Sequence, residues 1–411
     1  MKSFQNKNII IAVTGGIAAY KMCNVIRLLK KEKANVKVIM SEAATQFITP
    51  LTLSTLSENE VTVSLWPENK NQSTEKSVEH ISFGLWGDAM IIAPASAHTI
   101  SKLANGMASD IIGATVLSLR CPLIIAPAMD VDMYQNELTQ KNISYLKEMG
   151  YFIIPPEEGE LASGLKGVGR LPEAEKLVEF LRTVISGKHL DLKGKKILVT
   201  AGPTHEPIDP VRFISNYSTG KMGFALARVA SQRGANVTLI SGPVSLQTPK
   251  NVKRINVTTS AEMTKAVFSE VKKNQIIFMS AAVADYTPEK IEFNKIKKNK
   301  KSVSLSLKKT TDILASLRSK NKKAFLVGFA LETENEVVNA TNKLLHKNVD
   351  MIILNSLRDK GAGSGTDTNK VTIIDRNKRI EELSLMSKYN VAEEILERVV
   401  RLIKKPDAKK H

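Results

Sequence analysis

The chain has 411 residues, 43% hydrophobic and 24% charged, which is too long for one ordinary core and too apolar for a disordered chain, so two globular domains are expected. Its two cysteines, Cys23 and Cys121, fall in apolar elements without CxxC or metal spacing, which excludes a disulfide framework or a zinc cluster and suits a reduced cytoplasm. The formal net charge is +18, yet residues 1–190 balance 19 Lys+Arg against 19 Asp+Glu, so all of the excess (40 against 22) lies in the second half.

Residues 8–40 read as strand, glycine turn, helix and strand, a βαβ unit whose crossover is right-handed. The apolar run at 9–13 is too short for a signal sequence and runs into the turn. The turn, Gly15-Gly16-Ile17, lacks the dinucleotide fingerprint. Its glycines either serve the fold alone or let backbone approach a phosphate at the following helix start. Strands at 89–94 and 123–127 each end in Pro and a small-residue loop, one carrying Ser96, Ala97 and Thr99, the other Ala128 and Asp130. Loops at the carboxyl ends of parallel strands can together hold a planar cofactor and its phosphate. His80 precedes the strand at 89–94; a lone histidine among apolar residues is more often structural. A glycine-rich stretch at 157–170 reads as a flap or a flexible surface loop, a helix at 173–185 closes the first domain, and the polar residues 186–195 suit a linker.

The second domain, from residue 190, repeats the plan. Strands are expected at 196–201, 236–241, 275–280, 322–329 and 349–354, a late hairpin strand at 369–374, and helices at 221–233, 262–273 and 386–402. Between its first strand and helix lies a connection of about twenty residues, far beyond the usual two to six. That segment mixes Glu206, Asp209, Arg212 and Asn216 with a Ser-Thr-Gly turn, beyond the carboxyl end of a strand, so a nucleotide or phosphate site is the first expectation. Lys343 and Lys347 stand four apart on an expected helix, where they face either solvent or one phosphate group. No apolar stretch approaches the length of a membrane span. A nucleic-acid-binding reading of the basic half finds no stacking motif among few aromatics (5%).

In order, the motifs GGIAAYK, His80, PAMDVDMY, GELASGLKGVGR, TAGPTHEPIDPVRFISNYSTGKMG, SAAVADYTP and KIKK resemble the bifunctional phosphopantothenoylcysteine decarboxylase/phosphopantothenate–cysteine ligase family of coenzyme A biosynthesis. The resemblance covers essentially the whole chain; the second-half motifs are long and specific, while those of the first half are shared with a wider set of flavin-dependent cysteine decarboxylases. It implies an α/β fold of two doubly wound Rossmann-like domains, a flavodoxin-like FMN domain (1–189) and a CTP-binding ligase domain (190–411).

For the ligase half, the resemblance implies that CTP activates the carboxylate of 4′-phosphopantothenate, releasing pyrophosphate, and that the amine of L-cysteine then displaces CMP. Cations must offset the repulsion between carboxylate and triphosphate. By resemblance Lys295 is the essential lysine, on a flap over the nucleotide, and Asp285, Thr311, Asp312, Ile313, Leu314, Phe329, Lys343 and Lys347 contact the nucleotide. Asn216, able to donate and accept without adding charge, serves the second step. Arg212 and Lys221 are weaker candidates for the substrate phosphate. Mg²⁺ accompanies the triphosphate, with no protein ligands identified. Ser364 stands where the family usually has an aromatic residue.

For the decarboxylase half, the resemblance implies that FMN oxidises the cysteinyl side chain to a thioaldehyde, CO₂ leaves, and the product is reduced to 4′-phosphopantetheine. FMN contacts would be Gly15, Gly16, Ile17, Ser41, Ser96, Ala97, Thr99 and Ala128, with His80 catalytic. Asp130 replaces a usual Asn at the substrate carboxylate, and Ser163 replaces a usual Cys that donates the final proton. An ionised Asp repels a carboxylate, and a hydroxyl is a far weaker acid than a thiol of pKa about 8.5. Retained decarboxylation with altered details is expected; a ligase fused to a flavin domain unable to complete decarboxylation is the alternative. The resemblance also implies a homo-oligomer, with trimeric flavin domains, dimeric ligase domains and active sites between subunits.

Overall fold

The computed structural model describes residues 4–66, 79–187, 189–297, 304–356, 361, 363, 365–377 and 379–404. Lys298 and the rest of the basic run to 301, Ser364 and the tail from 405 lie outside them. The chain divides into two compact units, Met1–His189 and Leu190–His411.

In the first unit six strands form one sheet, in the spatial order Val61–Thr62, Asn35–Met40, Asn8–Val13, Ala89–Ala95, Leu123–Pro127 and Phe152–Ile153, and every neighbouring pair is parallel. The near-continuous apolar runs explain this, because a parallel sheet is covered on both faces. In the central strand Ile9, Ile11 and Val13 enter one core cluster while Ile10 and Ala12 enter the other, the alternation a pleated strand imposes. Each fully buried isoleucine contributes roughly 1.5–3 kcal/mol of transfer free energy. The chain builds outward from Asn8–Val13 and then returns to Ala89–Ala95 on its other side, so a topological switch point opens between those strands, where doubly wound sheets bind ligands.

The second unit has an eight-stranded sheet in the order Val252–Asn256, Asn236–Ser241, Lys196–Ala201, Ile276–Met279, Phe325–Glu332, Met351–Ser356, Val371–Asp375 and Ile380–Glu382. The first six are parallel and the last two antiparallel, so the doubly wound core carries a hairpin edge. The strand Val252–Asn256 was not legible in the sequence: its pattern (VKRIN) is mostly polar, as suits an exposed sheet edge. The switch point lies between Lys196–Ala201 and Ile276–Met279. The closing helix Lys388–Lys404 packs on Lys221–Gln232 through Val391, Ile395 and Val399, spaced as one helical face and fully buried. Among the described residues no helix is long and apolar enough to cross a membrane.

Candidate active sites

The long connection of the second unit is not an irregular loop. His205–Pro207 and Phe213–Ser215 pair antiparallel, and the His205 and Phe213 rings stack 3.9 Å apart. Asp209 shapes the turn between them: its carboxylate accepts from the amides of Val211 (2.8 Å) and Arg212 (2.9 Å) and from Arg212 Nε (3.0 Å). Burial raises the Asp209 pKa, but these donors and the Ile296 amide outweigh it and hold the carboxyl down to about 2. Glu206 is buried and accepts from the Ser260 amide (2.8 Å) and hydroxyl (3.1 Å). Both carboxylates therefore accept from internal donors that hold the hairpin.

Beside the hairpin lies a cavity of about 510 Å³. Asp285, Thr311, Asp312, Ile313, Leu314, Phe329, Lys343 and Lys347 all line it. Segments distant in sequence meet here because Thr310 is pinned to the 281–285 loop: its amide donates to Asp285 O (2.9 Å) and its hydroxyl to Ala284 O (2.7 Å). Asp312 caps the helix Ile313–Lys320, Oδ1 accepting from the Ala315 amide at 2.9 Å. The helix amino terminus thus faces the cavity and favours an anion.

Lys343 and Lys347 project from the helix Glu336–His346 and its last turn. Lys343 Nζ donates to Phe329 O (3.1 Å), and burial pulls its pKa below the ordinary lysine value despite the opposing charge of Glu332. Lys347 pairs with Asp312 Oδ2. Burial raises the Asp312 pKa, but the bonds from Lys347 and the Ala315 amide overcome it and leave the carboxyl below its usual range.

Asn216 is exposed and lies against the cavity loop, Nδ2 donating to Val283 O at 3.2 Å and Ala282 O at 3.4 Å. Lys295 is exposed and does not line the cavity; its neighbour Ile296 is bonded to the hairpin turn. Arg212 pairs with Asp209, and Lys221 with Asp367 at 2.6 Å. Sequence reasoning missed Met279, Ala281, Val283, Tyr286, Lys309 and Thr310 in the lining. Lys309 sits opposite Tyr286 in a two-stranded ladder whose strands lie some twenty residues apart in sequence, a pairing no local pattern announces.

In the first unit the carboxyl-end loops are bonded to one another. The buried Thr14 hydroxyl donates to Pro94 O (2.7 Å) and accepts from the Ser96 amide (3.0 Å). Ser96 caps the helix Ala97–Ala104, accepting from the Thr99 amide at 3.3 Å. The Ala128 amide donates to Ala95 O (3.1 Å), and the Ser41 amide to Val13 O (3.0 Å). A Cβ at Gly15 would lie 2.8 Å from Ala43 Cβ, so packing alone demands that glycine, whereas Gly16 has nothing nearer than Pro94 Cγ at 4.0 Å. Gly16 and the exposed Ile17 thus leave open backbone and apolar surface, and with the Ser96–Thr99 helix start they fit a planar, anionic cofactor.

The glycine-rich stretch is an ordered hairpin, Glu157–Glu160 against Lys166–Arg170. Its second strand lies on the loop after Leu123–Pro127: the Met129 amide donates to Gly169 O (3.1 Å), and a Cβ at Gly169 would come within 2.2 Å of Met129 O. At the tip Ser163 Oγ donates to Asp130 Oδ2, and Asp130 Oδ1 accepts from the Asp132 amide at 3.3 Å. The two residues that depart from the family pattern are therefore partners.

His80 is half-buried in the first turn of Glu79–Trp86, and its carbonyl accepts from Ser118 Oγ (2.7 Å). That bond joins the backbone of His80 to the helix Ile111–Ser118. Among the described residues no three His, Cys, Asp or Glu side chains converge to hold a metal.

Residues 2–186 match the Flavoprotein family model, and residues 192–403 match that of the DNA/pantothenate metabolism flavoprotein C-terminal domain. The Coenzyme A biosynthesis bifunctional protein CoaBC of Bacillus subtilis (strain 168) is 46% identical over 406 residues, covering 97% of this chain and 98% of the relative. Its counterpart from Haemophilus influenzae (strain ATCC 51907 / DSM 11121 / KW20 / Rd) is 43% identical over 97% of this chain and 98% of its own. A Cysteine/Cysteine sulfinic acid decarboxylase from an unknown prokaryotic organism is 46% identical over 87% of this chain and 99% of its own. A flavoprotein-type unit followed by a pantothenate-metabolism-type unit, matched along nearly its whole length, makes this chain a member of the coenzyme A biosynthesis bifunctional protein family.

Proposed function

We propose that the chain is a bifunctional enzyme that makes 4′-phosphopantetheine from 4′-phosphopantothenate, L-cysteine and CTP, with the ligase step in residues 190–411 and the decarboxylation in residues 1–189. The observation that carries the ligase assignment is the single cavity that gathers eight dispersed residues with a helix amino terminus and two lysines. CTP lies there with its base toward Phe329, its ribose near Asp285 and its phosphates toward Lys343, Lys347 and the start of Ile313–Lys320. The substrate carboxylate attacks the α-phosphorus, the bond to pyrophosphate breaks, and Lys295 stabilises the charge that develops. Asn216 then holds the acyl carbonyl while the cysteine amine attacks, CMP departs and the nitrogen gives up a proton. Mg²⁺ travels with the triphosphate, held largely by the nucleotide.

In the first unit Gly16, Ile17, Ser41, Ser96, Ala97, Thr99 and Ala128 hold FMN, with Gly15 shaping their turn. When bound, FMN supplies a two-electron acceptor and later donor. His80 acts on the substrate, reaching it in an assembly where the site lies between copies, and the Asp130–Ser163 pair faces the reacting end beneath the hairpin tip. The protein acts in the cytoplasm.

The test is direct. Purified protein given CTP and 4′-phosphopantothenate should release pyrophosphate and accumulate the acyl-cytidylate by mass; adding cysteine should yield the amide, and FMN-loaded protein should then release CO₂. Asn216→Asp should permit the first step and block the second. Absence of pyrophosphate release would overturn the ligase assignment. An oxidised enethiol accumulating without phosphopantetheine would overturn completed decarboxylation; here the Ser163–Asp130 bond gives the alternative its footing, since it engages the hydroxyl.

A further inference from the structure

Asp209 does more than its turn requires. Its side chain is fully enclosed, although Pro210, Val211 and Arg212 around it are exposed. Two of its bonds, from the amides of Val211 and Arg212 to Oδ1, suffice to close the hairpin turn. The other oxygen, Oδ2, accepts from Arg212 Nε at 3.0 Å and from the amide of Ile296 at 3.2 Å, far along the chain. Arg212 completes the grip, Nη2 donating to Ile296 O at 2.6 Å. Glu292 adds a third tie, its amide donating to Ile208 O at 2.9 Å. Both backbone polar groups of Ile296 are thus held by one carboxylate–guanidinium pair.

The Ile296 amide lies in the peptide plane that begins at Lys295. Peptide planarity carries the restraint to the Lys295 Cα, leaving only the exposed side chain to search. A lysine side chain carries close to 2 kcal/mol of rotamer entropy, and an untethered backbone would add more. A surface ion pair alone would need Asp209 and Arg212 but not the contacts to Ile296.

We infer that Asp209 is a positioning residue for the ligase step, holding the backbone of Ile296 so that Lys295 is delivered to the reacting phosphate from a fixed point on the hairpin. The inference rests on the proposed role of Lys295. The low pKa of Asp209 agrees with it, since the carboxylate stays charged wherever the enzyme works.

The test uses the full chain with CTP and 4′-phosphopantothenate. In Asp209→Asn, hydrogen exchange across residues 292–297 should accelerate and kcat for pyrophosphate release should fall about 10- to 100-fold, the cost of misplacing a catalytic group. KM for CTP should stay within about threefold, since ground-state binding is untouched, and the flavin spectrum and CO₂ release should not change. The same substitution in a Lys295→Arg background should cost clearly less, because residues acting through one another are non-additive. Should Asp209→Asn fail to fold, Arg212→Gln removes the guanidinium bonds to Ile296 O and Asp209 Oδ2, keeps the backbone bonds that close the turn, and should lower kcat in the same direction. Unchanged exchange, an unchanged kcat, or an equal loss in both backgrounds would overturn the inference. Full pyrophosphate release by Lys295→Gln would instead overturn the proposed role of Lys295, and so separates the two failures.

Discussion

The two units use the same sheet plan, yet their candidate sites stand differently on it: the loops of the first gather at its switch point, whereas the cavity of the second is lined from Ile276–Met279 and Phe325–Glu332, one strand over from its switch point. In the second unit a helix start, two lysines, an aromatic ring and a carboxylate from four separate segments line one cavity. In the first, the loops at 14–17, 41, 96–99 and 128 are joined by hydrogen bonds of their own backbone and hydroxyls. Similar sheets thus carry their candidate sites over different strand pairs.

Four experiments break or sharpen that contrast. The largest effect is expected from Lys295→Gln: pyrophosphate release should fall by at least about 10²- to 10³-fold, as when one transition-state charge donor is removed, while flavin absorbance and CO₂ release persist. Parallel losses in both activities would mean the units are not separate.

Next is His80→Asn, expected to retain yellow flavin and lose about 10²- to 10⁴-fold in CO₂ release, the usual worth of an acid–base group. Mixing it, after dissociation and reassembly, with an inactive Ser96 and Thr99 double-alanine variant should restore some activity if copies share the site. Failure to complement, with mixed oligomers verified, would make the first site self-contained.

Lys343→Ala should weaken CTP binding by about 10- to 100-fold, the range for a hydrogen bond to a charged group, read by calorimetry. Because burial lowers the Lys343 pKa, wild-type affinity should decline with rising pH earlier than an ordinary lysine would allow; the variant should lose that limb. An unchanged affinity would remove the phosphates from this wall of the cavity.

The smallest effect belongs to Asp312→Asn. Its lowered pKa means the folded state binds fewer protons here, so its contribution is present above about pH 4 and is lost as pH falls through the folded value. The Asn variant keeps a capping oxygen and should lose about 1 kcal/mol or less near neutrality, as for an exposed pair, and should flatten the acid limb of an unfolding curve. A steeper acid limb would contradict this.

Much of this architecture is legible in the residues, and the reasons are local. Apolar runs such as 9–13 and 197–201 announce buried parallel strands, and Gly, Pro and capping residues mark their ends. What escaped was long-range or dependent on register. The pairing of 205–207 with 213–215 turned an apparent loop into a hairpin, because its Pro-rich composition hides short strands. Lys309 entered the cavity through a ladder with Tyr286 that no periodicity signals. Asp130 and Ser163 were readable as departures from a pattern, but their hydrogen bond depends on a hairpin tip folding back. The carboxylates Glu206 and Asp209 read as ligand groups from composition, and only their geometry shows them turned toward internal donors.

Each unit holds two clusters of buried side chains. A sheet covered on both faces buries enough apolar surface to unfold as a cooperative body, so each half is expected to carry a melting transition of its own, read by calorimetry. A substitution that costs the ligase half its fold need not cost the flavin half its own, and loss of one activity on warming is then a separate event from loss of the other.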